Sequence, residues 1–75
     1  GIRVNAVCPG SVPTEGMKIN VDPEMMATRI ARTPLGRLGE AEDIASAVMF
    51  LASSESSWVT GTSMLVDGGA THAIR

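Results

Sequence analysis

The residues of this chain best suited to holding a ligand are Pro9-Gly10-Ser11-Val12-Pro13-Thr14. Gly10 has no Cβ, so a flat ligand can approach its backbone closely. Pro13 holds Val12 extended and brings no N–H of its own. The N–H and C=O of Val12 are thereby left free to pair with an amide. Thr14 adds a hydroxyl and a backbone N–H that could bond a carboxamide or a phosphate. This is a binding set, with no group suited to proton transfer, and a Pro-Gly pair by itself is also an ordinary strand-ending turn.

The other chemistry-bearing side chains offer less. Cys8, the one cysteine, has no basic neighbour in sequence to favour a thiolate, and it reads as a small buried apolar residue. With His72 the one histidine, placed in the tail, there is no soft-ligand set for a metal. Glu40, Glu42 and Asp43 are helix-start residues, Arg37 reads as a structural or salt-bridging residue, and Trp58 reads as a core or subunit-contact residue. No catalytic residue and no metal site is expected within the chain.

The elements that must position the binding loop can be read from pattern. Ile2 to Val7 alternates, with Ile2, Val4 and Ala6 on one face, and stops at Pro9-Gly10, which predicts a strand. Residues 9 to 22, rich in Pro, Gly and small polar side chains, read as an ordered loop. A short amphipathic helix comes next, from about Pro23 to Arg32, with Asp22 as N-cap, Pro23 at the first helical position and Met26 and Ile30 on one face. Thr33-Pro34 breaks it, and Leu35 to Gly39 form a glycine-punctuated connection. The clearest helix starts near Glu40, with Ile44, Val48, Leu51 and Ala52 predicted as its buried face. Thr62 to Val66 is a second strand, closed by Asp67-Gly68-Gly69.

Strand, helix, helix, strand with so long a crossover implies two parallel strands, a unit that is right-handed in nearly all cases. In such an open α/β sheet, ligands bind outside the carboxyl ends of the strands, where Pro9 to Thr14 lie. Parallel sheets are normally covered on both faces, and helices here cover one. Together with 75 residues, no possible internal disulfide and a start at Gly1, this leads us to expect a piece of something longer.

Composition excludes several classes. Six basic side chains are scattered among eight acidic ones for a net charge of −2, which gives no footprint for nucleic acid. The longest apolar run, Ala47 to Ala52, is far shorter than the roughly 20 residues of a membrane span, and no signal pattern opens the chain. The lone cysteine makes the cytoplasm the expected compartment.

The chain resembles the classical short-chain dehydrogenases/reductases. The resemblance rests on Ile2-Arg3-Val4-Asn5-Ala6-Val7-Cys8-Pro9-Gly10, Val12, Thr14, Pro34-Leu35-Gly36-Arg37-Leu38-Gly39, Glu42-Asp43-Ile44-Ala45, Val48 to Ser53, Val59-Thr60-Gly61 and Val66-Asp67-Gly68-Gly69, in family order. It implies the C-terminal strand-helix-helix-strand part of a doubly wound parallel-sheet (Rossmann) α/β fold, with residues 1–75 an incomplete part of a single domain. It further implies an NAD- or NADP-dependent oxidoreductase that interconverts an alcohol and a carbonyl by hydride transfer.

The roles implied for Pro9, Gly10, Val12 and Thr14 are contacts to the nicotinamide side of the cofactor, Val12 pairing through its backbone with the carboxamide. Residues 15 to 33 would form a substrate lid, with apolar contacts from residues such as Met17, Met25 or Met26, and the last helix and strand would offer a homo-oligomer surface. The family's tyrosine and lysine pair has no counterpart, since the chain has no tyrosine. The glycine-rich pyrophosphate turn is also missing, so the chain alone is expected to be inactive. A non-catalytic binding or assembly module built on the same scaffold is the alternative.

Overall fold

A computed structural model describes residues 1–13 and 22–72. In chain order the elements are β1 (Ala6–Pro9), α1 (Pro23–Ala31), α2 (Ala41–Ala52), a 3-10 turn (Ser54–Ser56), β2 (Ser63–Val66) and a second 3-10 turn (Ala70–His72). The two strands are parallel, with Ala6 beside Ser63 and Pro9 beside Val66. The α/β architecture expected from the sequence is present.

The first strand runs over Ala6–Pro9 rather than Ile2 to Val7. Upstream of Ala6 the facing chain is a turn through Gly61, at φ +73°, so no ladder forms. Instead Gly61 N–H donates to Val4 C=O at 2.8 Å and Val4 N–H donates to Thr60 Oγ1 at 3.1 Å. The Asn5 amide donates to Val59 C=O and accepts from Thr62 N–H, both at 3.1 Å. At the other end the ladder tolerates Pro9 because donors alternate. Ala6 N–H reaches Thr62 C=O at 2.9 Å and Gly10 N–H reaches Val66 C=O at 3.0 Å, so the position of the missing Pro9 N–H faces away from β2.

α1 begins as predicted, with Glu24 N–H donating to the Asp22 carboxylate at 3.0 Å and Pro23 in the first turn. Its expected buried face is not realised. No α1 residue is buried, Ile30 is 39% exposed, and among the described residues α1 packs against no other helix or strand.

α2 is capped by Asp43, whose carboxylate accepts from Glu40 N–H at 2.8 Å. Its inward side is made by Ile44, Ala47 and Leu51, all half-buried, whereas Val48 and Ala52 from the predicted face are exposed. The reason is width: two strands about 4.8 Å apart make a strip narrower than a helix about 10 Å across. Such a strip leaves one side of the helix's apolar stripe uncovered.

At the amino end of the sheet, Arg3 ties β1 to the exit of α2. Its guanidinium donates to Ser56 Oγ at 3.0 Å, Val59 C=O at 3.1 Å and Ser53 C=O at 3.2 Å. Ser56 is fully buried there, and its hydroxyl faces Leu51 C=O at 2.9 Å.

Among the described residues no apolar side chain is buried; only Thr33 and Ser56 are. Ile2 and Val4 are 91% and 70% exposed, and Trp58 is 99% exposed, so of its two readings, core or subunit contact, the core one does not hold. Cys8 is half-buried rather than buried. The chain exposes 5673 Å², where a self-contained domain of its mass exposes about 4,400 Å².

Candidate functional site

Three segments converge at the carboxyl ends of the strands. Residues 10–13 leave β1, residues 67–69 leave β2, and residues 33–39 run across from α1 to α2. Ser11 C=O accepts from Gly39 N–H at 3.0 Å, and Gly68 C=O accepts from Leu35 N–H at 3.1 Å, so the crossing segment is fastened to both strand ends. Between them lies a cavity of about 180 Å³, lined by Gly10 and Val12 after β1, Asp67 and Gly68 after β2, Ile44 of α2 and residues of the crossing segment.

The structure places Gly10 and Val12 at the cavity. Pro9 closes β1 just outside the lining and is exposed. Thr14 and Met17 lie outside the described residues. Met25 and Met26 are on α1 and do not line the cavity. Among the described residues, neither the N–H nor the C=O of Val12 has a hydrogen-bond partner. Its side chain packs on Gly39, where a Cβ would fall 3.0 Å from Val12 Cγ2.

Gly10 serves a purpose the sequence reading missed. A Cβ there would lie 2.7 Å from Asp67 Cβ and 2.8 Å from Asp67 Cα. Its absence lets the two strand ends close on each other, independently of any ligand.

Two carboxylates border the cavity, and both are committed. Asp43 receives Arg37 at 2.8 and 3.2 Å, beside its bond from Glu40 N–H. Chiefly the Arg37 hydrogen bonds, then that N–H, hold its carboxyl down to about 2. Asp67 is held below the usual carboxylate range, first by the Thr71 side chain and then by the N–H groups of Thr71 and Gly69, which reach it at 3.0 and 2.9 Å. Both are therefore ionised acceptors at neutral pH, tying down an α-helix start and a turn, and neither is poised to deliver a proton. The Arg37 to Asp43 pair agrees with the salt-bridging reading of Arg37. The readable signal for Asp67 was Asp-Gly-Gly itself, the composition of an Asx turn followed by left-handed glycines.

Parallel strands, a right-length crossover and a crevice at their carboxyl ends define a piece of an open α/β nucleotide-binding architecture. Residues 1–71 match the family profile described as enoyl-(acyl carrier protein) reductase, and the chain belongs to the short-chain dehydrogenase/reductase family. It is 50% identical over 76 residues to 2-(S)-hydroxypropyl-CoM dehydrogenase 3 of Xanthobacter autotrophicus, covering 95% of this chain and 30% of that protein. A solved 7α-hydroxysteroid dehydrogenase, complexed with NADH and 7-oxo glycochenodeoxycholic acid, superposes with a TM-score of 0.84 at 42% identity over 92% of this chain and 27% of that one. A gluconate 5-dehydrogenase from Burkholderia cenocepacia, in complex with NADP and tartrate, gives 0.87 at 37% identity over 99% of this chain and 29% of that one. The chain therefore spans about 30% of the length of these relatives, and its fold is part of their Rossmann fold. No described helix is long and apolar enough to cross a membrane.

Proposed function

We propose that this chain is the C-terminal part of a single-domain NAD(P)-dependent oxidoreductase that interconverts an alcohol and a carbonyl, and that it supplies the nicotinamide side of the cofactor site. The observation that carries this is Val12: its N–H and C=O, without a partner among the described residues, lie just past the carboxyl end of β1 and line the cavity there. A carboxamide has the matching acceptor and donor, so the residues present fit the group. When bound, the nicotinamide would accept or donate the hydride.

This chain's own residues bind and orient. Val12 fixes the carboxamide through its backbone, Pro9 and Gly10 form the floor of the ring site, and Thr14, outside the described residues, is the further cofactor contact. Leu38, Ile44 and Val66 keep water from that side of the cavity. The chain has no tyrosine, so the proton-transfer residues of the family belong to the rest of a longer protein. The 75 residues by themselves are therefore inactive. The residues from α1 onward to Thr33 take the substrate side. The exposed Met49 and Trp58 support a role for this part in assembling a homo-oligomer, and the lone cysteine fits a cytoplasmic enzyme.

The test is made in the longer protein that carries this segment. Val12→Pro removes the N–H, while Val12→Ala keeps it. A lost neutral hydrogen bond of about 1 kcal/mol corresponds to about fivefold in affinity. Cofactor titration should show about that weakening for Val12→Pro and little change for Val12→Ala. Equal cofactor affinity in both, with unfolding temperatures unchanged, contradicts the assignment.

A further inference from the structure

α1 is held in an unusual way. Among the described residues it touches no strand and no other helix, so no described strand or helix packs on its faces to orient it. The segment leaving its C-terminus, by contrast, is held firmly. Thr33, 7% exposed, donates its hydroxyl to Arg29 C=O at 2.7 Å and its N–H to Ile30 C=O at 3.1 Å, which welds it to the last turn of α1. Thr33, Pro34 and Leu35 then sit on the turn after β2. Leu35 N–H bonds Gly68 C=O at 3.1 Å.

Both glycines of that turn are required by contact as well as by conformation. Gly68 has φ +64°, and a Cβ on it would lie 2.7 Å from Thr33 Cγ2. Gly69 has φ +90°, and a Cβ there would lie 3.1 Å from Pro34 Cγ. The turn in its place is set by Asp67, whose two carboxylate oxygens take Gly69 N–H and Thr71 N–H.

We propose that Gly68 and Gly69 are positioning residues for substrate: the turn after β2 is a clasp that sets where α1 stands over the carboxyl ends of the strands. The inference rests on the reading of α1 as the substrate side of an oxidoreductase site. The clasp acts through Thr33 and Pro34 and touches no reacting atom. A displacement of Thr33 by an added methyl is carried into α1, because no other described strand or helix packs against it. Thr33, Leu35 and Gly68 also border the cavity beside Val12, but the loop that carries Val12 is fastened separately through Gly39 N–H and Ser11 C=O. The clasp therefore acts more strongly on substrate binding than on cofactor binding.

The experiment uses the longer protein and compares Gly68→Ala with the double variant Thr33→Ser/Gly68→Ala. The serine removes the methyl that the new Cβ strikes and keeps the hydroxyl bond to Arg29. Backbone strain from a positive φ is common to both variants, so their difference isolates the clash. Gly68→Ala should raise KM for the alcohol or carbonyl substrate about tenfold, with a clearly smaller change in cofactor Kd. It should also speed amide exchange across Pro23 to Ala31, and the double variant should restore both most of the way. An unchanged KM, a parallel loss of cofactor affinity, or a double variant no better than the single overturns the clasp. If the parent protein turns over no alcohol or carbonyl, the oxidoreductase reading fails instead, and amide exchange in α1 decides the clasp by itself: acceleration with rescue supports it, and an unmoved α1 refutes it.

Discussion

Replacing Gly10 by alanine tests the junction on which the whole site depends. The new Cβ would stand 2.7 Å from Asp67 Cβ and 2.8 Å from Asp67 Cα, where carbon atoms in ordinary contact stand about 3.5 Å apart. One strand end must therefore retreat by about 0.7 to 0.8 Å relative to the other. Neither is free to do so. Gly10 N–H is bonded to Val66 C=O at 3.0 Å, and the Asp67 carboxylate is bonded to two backbone N–H groups of its own turn. Overpacking of this kind costs about 1 to 3 kcal/mol.

In a longer protein of 150 to 250 residues that cost lowers the unfolding temperature by about 2 to 12 °C. Because Val12 lies two residues beyond Gly10, cofactor affinity should fall as well. Gly36→Ala is the control: Gly36 has φ +79° and nothing within 4 Å of its Cβ position, so it carries backbone strain without a clash. It should lower stability by about 1 to 2 kcal/mol and leave cofactor affinity alone. The assay is thermal unfolding with and without cofactor. A Gly10→Ala protein as stable as the parent and equally stabilised by cofactor would refute the reasoning.

The same geometry sets two further outcomes. The folded Asp43 carboxyl, near 2, lies below its ordinary value of 3.8, so its pairing with Arg37 stabilises the fold above about pH 3.8 and that stabilisation is lost as pH falls toward 2. Arg37→Gln should therefore be destabilising at pH 6 and converge on the parent as acid unfolding proceeds; a difference independent of pH would contradict it. The 75-residue chain expressed by itself, with no fully buried apolar side chain among its described residues, should bind a hydrophobic dye and unfold without a cooperative transition. A sharp two-state transition would show that it makes a core of its own.

The sequence made much of this readable because its signals are local. Asp22 and Pro23 mark the start of α1 through capping chemistry, and acidic residues at 40 to 43 mark the start of α2, both without reference to tertiary context. The long crossover alone implied parallel strands, and with them the placement of Gly10 and Val12 at their carboxyl ends. What was not legible depended on contacts far apart in sequence. The true limits of β1 come from Gly61 turning away opposite Val4, and the need for Gly10 comes from Asp67. The buried faces expected on α1 and α2 presumed neighbours for Ile30 and Val48, and two strands are too narrow to provide them. Gly68 and Gly69 read as a turn; that the turn holds Thr33 and Pro34 is visible only in three dimensions.

The central claim is that Val12 presents its backbone to a nicotinamide carboxamide, and a crystal structure of the longer protein with NAD(H) or NADP(H) bound measures it directly. The account predicts carboxamide oxygen and nitrogen within about 2.7 to 3.2 Å of Val12 N and O, with the ring against Pro9-Gly10. A cofactor whose nicotinamide lies elsewhere, with Val12 bonded to protein instead, would contradict it.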